Sequence, residues 1–253
     1  MISRHSCFFL AVLLTALPRP SVAADLKIMV EDAAEPFSRA DGTGYANDLV
    51  KAAFRAMGVE IQFDVVPYAR CKKDVEDGKI AACFSMSWYM GVEDTVAFSD
   101  LPVIQVYADV FLNGNSPSRV ARIADIGKGA TVGIVNQYEY PDAIYGLRRQ
   151  GAVLQLSPND GANLQMLARG RLDAAIVMTN DLVPRMQKAL DSGVGSQVTY
   201  AFRAGVEEGY VGFSKKNARG ELARQQFNDG YKKIIADGTV DTIRRKWTIG
   251  AAP

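Results

Sequence analysis

An α/β fold of two similar lobes is predicted by three features of this 253-residue chain: a helix-glycine-strand unit that occurs twice, a strict alternation of strand-like and helix-like segments, and one turn cluster between the copies. The first copy is Gly78-Lys79-Ile80-Ala81-Ala82-Cys83-Phe84-Ser85-Met86-Ser87. Ninety-two positions on (170 minus 78), Gly170-Arg171-Leu172-Asp173-Ala174-Ala175-Ile176-Val177-Met178-Thr179-Asn180 repeats the order of glycine, basic residue, aliphatic, small residues, apolar run and polar exit. Each copy follows a segment whose apolar residues recur at three and four, and glycine ends a helix at low steric cost. Small and apolar runs without alternation suit strands covered on both faces, as in a parallel sheet. Ligands collect outside the carboxyl ends of such strands, so the two polar exits are candidate walls of one cleft.

The elements follow in order. Residues 26–30 form a first strand ending at Glu31 and Asp32, and 33–44 are turn-rich. Tyr45, Leu49, Ala53 and Met57 repeat at four, and Gly58 closes that helix. Residues 61–66 are the next strand, Pro67 breaks it, and Tyr68-Ala69-Arg70 opens the helix leading to Gly78. A polar, aromatic stretch over 88–95 precedes a crossing at 103–112 and the turn cluster 113–118. The alternation then resumes: strand 131–135, helix from Pro141, strand 152–156, helix 161–168, strand 172–178 and helix 182–190. Two strands are expected at 198–202 and 208–213, the second being the return crossing. Two helices end the chain, with apolar faces Leu222, Phe227, Tyr231, Ile234 and Val240, Ile243, Trp247. The expected division is a leader at 1–24, lobe 1 at 25–110 and 208–253, and lobe 2 at 111–207. Each lobe is expected to have its own sheet.

The leader has a basic residue at Arg4, an apolar region over 7–17 and the small-residue site Ser21-Val22-Ala23-Ala24, the three parts of a secretory signal. Its apolar region is shorter than the roughly 20 residues of a membrane span, so a soluble exported protein is expected. Removing Arg4 and Arg19 takes Lys plus Arg from 29 to 27 against 28 acidic residues, a net charge near −1. That balance argues against a nucleic-acid partner. The single histidine, His5, lies in the leader. The mature chain therefore lacks the imidazole for a Ser-His or Cys-His pair or a histidine-bound zinc, and no metal or other cofactor is expected.

Cys71 and Cys83 remain. A helix from Cys71 to Gly78 descends ~10 Å, and a strand from Lys79 to Cys83 climbs ~13 Å. The two sulfurs reach similar heights, which favours a disulfide over two buried free thiols.

The strand exits place Glu31, Asp32, Phe37, Tyr68, Arg70, Ser85, Ser87 and Trp88 on one lobe, with Asn136, Gln137, Tyr138, Thr179 and Asn180 on the other. Rings sandwich a small molecule and polar atoms orient it. Arg70 either receives a carboxylate or pairs with Asp74 at i+4. Glu31 and Asp32 either ligate a cationic group or end a strand.

These residues resemble the family 3 solute-binding proteins of bacterial ABC importers, with the type II periplasmic-binding-protein fold. The marks are Gly44-Tyr45-Ala46-Asn47-Asp48-Leu49, Gly78-Lys79-Ile80-Ala81-Ala82, Phe98-Ser99-Asp100, Ile123-Ala124-Asp125-Ile126 with Val132-Gly133-Ile134-Val135, and Gly170-Arg171-Leu172-Asp173-Ala174-Ala175. Their order and spacing, from Leu26 to about Trp247, carry the resemblance. It implies two hinge crossings, a small-molecule ligand closed between the lobes, a periplasmic monomer and an ABC permease partner in the inner membrane. Amino-acid binders of the family carry an arginine about six residues before the Phe-Ser pair and an aspartate at the second strand exit. Here those places hold Gly91-Val92-Glu93-Asp94 and Met178, and Gln137-Tyr138 replaces the usual Gly-Thr turn. The expected ligand therefore differs from an ordinary α-amino acid held by that pair of charges. Cyclohexadienyl dehydratases resemble the family too and make an enzyme the main alternative, with Glu31 or Glu139 as the acid. A ligand-presenting sensor subunit is the other.

Overall fold

The computed structural model describes residues 26–115 and 120–248. The expected leader at 1–24, and Ser116, Pro117 and Ser118 of the turn cluster, lie outside the described residues. The first half contains β1 (Leu26–Glu31), a ribbon of β2 (Ala33–Ala34) and β3 (Ser38–Arg39), α1 (Tyr45–Arg55), β4 (Ile61–Val66), α2 (Tyr68–Glu76), β5 (Ala82–Met86) and β6 (Val96–Phe98). The long strand β7 (Ile104–Asn113) leads to β8 (Thr131–Val135), α3 (Asp142–Arg149), β9 (Val153–Ser157), α4 (Asp160–Ala168), β10 (Ala174–Thr179) and α5 (Gln187–Asp191). The chain returns through β11 (Val198–Ser214) and ends on α6 (Gly220–Ala236) and α7 (Thr239–Trp247).

β4, β1 and β5 are parallel, as are β9, β8 and β10. The crossings β7 and β11 pair antiparallel with each other and extend each half. The ladder therefore runs unbroken in the order β4-β1-β5-β11-β7-β10-β8-β9, instead of as two separate sheets. What makes two lobes is the burial. One half packs Phe54, Phe84, Phe213 and Phe227 together, while the other packs Val110, Ile134, Ile144 and Ile176 on one sheet face and Phe111, Leu164 and Val177 on the opposite face. Covered faces on both sides explain why these strands read as continuous apolar runs.

Three elements differ from expectation. β11 is one strand of 17 residues, not two. Its register against β7 shifts between Tyr200 and Phe202 and again between Arg203 and Gly205, and each bulge breaks the two-residue period by which a strand is recognised. The helix expected over 182–190 shrinks to Gln187–Asp191. Pro184 keeps Val183 out of the helical region, and the Asn180 side chain takes the backbone N–H groups of Leu182 and Val183 at 2.8 and 3.3 Å. Leu182 is thereby delivered into the first lobe's core. On α6, Leu222 is exposed and Ala223 takes its place on the face with Phe227, Tyr231 and Ile234. Residue 222 stands five positions from Phe227, about 140° around the helix, whereas 223 stands four away. That helix approaches α1 closely, because a Cβ at Gly230 would lie 1.9 Å from the Ala53 carbonyl oxygen.

Cys71 on α2 and Cys83 on β5 form a disulfide with Cα atoms 5.7 Å apart. It ties the cleft end of α2 to the strand that carries Ser85. Intact-mass analysis of leaderless protein after alkylation under denaturing, non-reducing conditions is expected to show no modified thiol, and two after reduction. Two modified thiols without reductant would refute the bridge.

Candidate functional site

The ends of β1, β5 and β8 meet at a cavity of about 60 Å³, which the expected second exit reaches through Met178 and not through Thr179 or Asn180. Six residues expected at the site line it: Glu31, Phe37, Tyr68, Ser85, Ser87 and Tyr138. Glu139, Met178 and Lys188 complete its polar and apolar walls with Ile104 and Val106 of β7. Small-molecule pockets are commonly about 300 Å³ or more, so this cavity is narrow, with the lobes in direct contact around it.

Direct bonds hold them. The Tyr138 hydroxyl of the second lobe donates to Glu31 Oε1 at the end of β1, at 2.5 Å. The Tyr68 hydroxyl of α2 donates to Glu139 Oε2 at 2.7 Å, and Lys72 Nζ donates to Glu139 Oε1 at 2.7 Å. The rings of Tyr68 and Tyr138 meet edge to face with centroids 5.6 Å apart. Tyr138 packs against hydrophobic clusters of both lobes. Groups suited to a ligand are thus paired with each other across the cleft.

Burial dominates the electrostatics. Glu31 is 5% exposed, and desolvation pushes its pKa up to about 7 against the opposing bond from Tyr138 and the charge of Lys188. Glu139 is also raised by burial, with the Lys72 ammonium pulling the other way. Burial lifts the Tyr68 and Tyr138 hydroxyls well above the usual phenol value, so both remain donors. Lys188 Nζ pairs with Asp160 Oδ2 at 2.5 Å beside Met178. The second lobe therefore presents an ammonium near the exit where an aspartate was expected by resemblance.

Backbone strain marks the ends of β5 and β8. Among the described residues, the non-glycine residues with positive φ are Ser85 and Gln137, each at 67°. Such conformations persist where surroundings over-determine them, often at ligand sites. Ser85 Oγ is buried without a hydrogen-bond partner among the described residues, and Ser85 lines the cavity.

The other seven expected residues stand elsewhere, Asp32 half-buried just past β1 and outside the cavity lining. Arg70 is 67% exposed and pairs with Asp74 at 3.4 Å, the local alternative. It lies two positions from Tyr68, about 200° around α2, so it faces away from the cleft. Trp88 is exposed against Phe98, with ring centroids 4.4 Å apart, and borders an outer groove with Glu207 and Tyr210. Asn136 and Gln137 are exposed beside the exit. Thr179 Oγ1 donates to Asp109 Oδ2 at 2.6 Å, and Asn180 holds the turn after β10. The Thr179 hydroxyl and the Asn180 side-chain oxygen are thus engaged in structure. Lys72 was missed by sequence reasoning, although a signal existed: it follows Tyr68 by four positions and shares its helix face. Lys188 gave none, because its helix has five residues.

A two-lobed α/β chain with a cavity between strand ends of its two lobes has the architecture of a small-molecule binding protein. The sequence matches the bacterial extracellular solute-binding proteins, family 3, over residues 26–250, and the chain belongs to that family. A comparison of the sequence with curated proteins gives no match. Several solved structures share the fold. A histidine kinase sensor domain with similarity to periplasmic binding proteins has a TM-score of 0.74 at 21% identity, covering 88% of this chain and 95% of that one. The arginine-, lysine-, histidine-binding protein ArtJ from the thermophilic bacterium Geobacillus stearothermophilus has a TM-score of 0.73 at 17% identity, covering 90% and 96%. The ancestral amino acid-binding protein AncCDT-1, a precursor of cyclohexadienyl dehydratase, has a TM-score of 0.69 at 19% identity, covering 88% and 95%. At these identities the likeness is one of fold.

Proposed function

We propose that this protein captures a small polar solute bearing an ammonium or guanidinium group, amino-acid-like or a simple amine, and delivers it in the periplasm to an ABC importer. The observation that carries the reading is Glu31. Its carboxylate is buried in the cavity, raised to about 7, and bonded to a phenol instead of a cation. A ligand cation supplies the missing counter-charge, and the rings of Phe37, Tyr68 and Tyr138 supply apolar area and quadrupoles. Family membership and the cationic amino-acid binders among the fold's relatives support this class.

Calorimetry with L-arginine, L-lysine, putrescine, agmatine and succinate tests it. At least one cationic solute is expected to bind, and Glu31→Gln to weaken it tenfold or more, since a charged hydrogen bond contributes roughly 1.5–3 kcal/mol. Binding of succinate alone would reject the reading.

Proton-transfer chemistry on a ring acid is a second reading, favoured by two features: a buried acid near neutrality at Glu31 and the Lys72–Glu139 pair in the same cavity. Under the binding reading the solute is recovered unchanged after long incubation. Conversion by the wild type but not by Glu31→Gln would establish the enzyme instead. Presentation to a receptor, as a sensor subunit, uses the same closed form and is distinguished by which membrane partner the liganded protein pulls down.

A further inference from the structure

The site described above lacks the arginine by which relatives are expected to hold a carboxylate, yet it already contains a bound carboxylate. Glu139, from the segment after β8, sends its carboxylate across the cleft to two groups of α2. Lys72 Nζ stands 2.7 Å from one oxygen and the Tyr68 hydroxyl 2.7 Å from the other. Two donors on two oxygens is the arrangement a free carboxylate seeks. The receiving groups are held independently of Glu139. Lys72 Nζ lies 3.7 Å from the centroid of the Tyr89 ring, and the Tyr89 hydroxyl is bonded to Glu76. Tyr68 is a buried member of the core that contains the disulfide cysteines. The visitor is less well placed, because burial raises the pKa of Glu139 despite the ammonium beside it. Glu139 also sits two residues from the positive-φ Gln137, on the opposite lobe from its partners.

We infer that Lys72 and Tyr68 form the carboxylate seat of the cleft, and that Glu139 occupies it as an internal carboxylate which the carboxylate of an incoming ligand displaces. The inference rests on reading the cleft as the solute site. Parting the lobes breaks the Glu139 bonds, since donor and acceptor belong to different lobes, and leaves Lys72 and Tyr68 open to solvent. Reclosure on a ligand then exchanges one carboxylate for another, conserving the charge-assisted bonds while Glu139 returns to water. Glu31, paired with Tyr138, is left for the ligand's cation. The ligand class is accordingly a zwitterion, its anionic end on α2 and its cationic end at the exit of β1.

The test uses three probes, L-arginine, agmatine (the same cation without the carboxylate) and succinate (carboxylate without a cation), against the wild type, Glu139→Ala and Lys72→Met. Circular dichroism checks each fold. Glu139→Ala is expected to tighten L-arginine about tenfold or more, leave agmatine within about twofold, and gain stabilisation by succinate. Lys72→Met is expected to remove the preference for L-arginine over agmatine and all response to succinate. Weaker L-arginine binding by Glu139→Ala, or equal tightening of both cations, overturns the seat while leaving the cationic-solute reading in place. Binding of succinate to Glu139→Ala with neither cation bound by any variant keeps the seat and removes that reading. Silence of all three probes overturns both.

Discussion

Glu31→Gln is expected to flatten the pH dependence of stability between about pH 4.5 and 7 and to make the protein more stable than wild type above it. The carboxyl has a pKa of about 7 when folded and 4.5 as its unperturbed value, so the unfolded chain loses this proton first as pH rises. Between those values the native state binds more protons than the unfolded one, and stability falls as pH increases. The contribution is fully present below about 4.5 and lost by the time pH has passed 7. The difference of 2.5 units (7 minus 4.5) corresponds to about 3 kcal/mol at 1.36 kcal/mol per unit. Urea unfolding of both proteins at pH 5, 6, 7 and 8 measures it, and parallel profiles would refute the assignment. The same proton governs binding. A ligand cation needs Glu31 ionised, so affinity is expected to fall up to about tenfold per unit as pH drops below 7.

The second large effect lies away from the cleft. Asp109 on β7 is fully buried. It accepts from Thr179 Oγ1 at 2.6 Å, Arg185 Nε at 3.0 Å and Arg203 Nε at 3.1 Å. The arginines also lie over aromatic rings, Arg203 at 3.3 Å from the Tyr107 centroid and Arg185 at 4.0 Å from that of Tyr200. Asp109→Ala removes the acceptor for three donors, and breaking a buried pair in this way costs about 3–5 kcal/mol. The lower end is expected, because the arginine side chains are 44% and 34% exposed and can turn to water. For a chain of this size about 3 kcal/mol lowers Tm by roughly 6–12 °C. Differential scanning calorimetry reads it directly, and a shift under about 2 °C would show that the cluster is replaceable by solvent. Glu31→Gln and Asp109→Ala should add, since the two groups share no hydrogen-bond partner.

Much of the frame was legible from local rules. The alternation of strand and helix, the glycine stops at Gly58 and Gly78, and the paired apolar strands before Ser85 and Thr179 all appear in the structure because each depends on neighbouring residues. The misreadings arose where local rules were overridden. β11 hid behind two bulges, the helix after Asn180 yielded to a side-chain cap and Pro184, and Leu222 missed the α6 face by one position.

In the cleft the division is sharper. Strand exits and aromatic residues pointed to Glu31, Phe37, Tyr68, Ser85, Ser87 and Tyr138, which the structure gathers around one cavity. Sequence alone determined the two-lobed α/β plan and the family, because hydrophobic period and turn chemistry are short-range. Only the tertiary structure decided that Lys72, not Arg70, faces the cleft, that Glu139 crosses it, and that Glu31 meets Tyr138 across a separation of 107 residues. The reason is physical: a side chain's charge state and partner depend on what the opposite lobe buries against it, and that arrangement exists only once the crossings have brought the strand exits together.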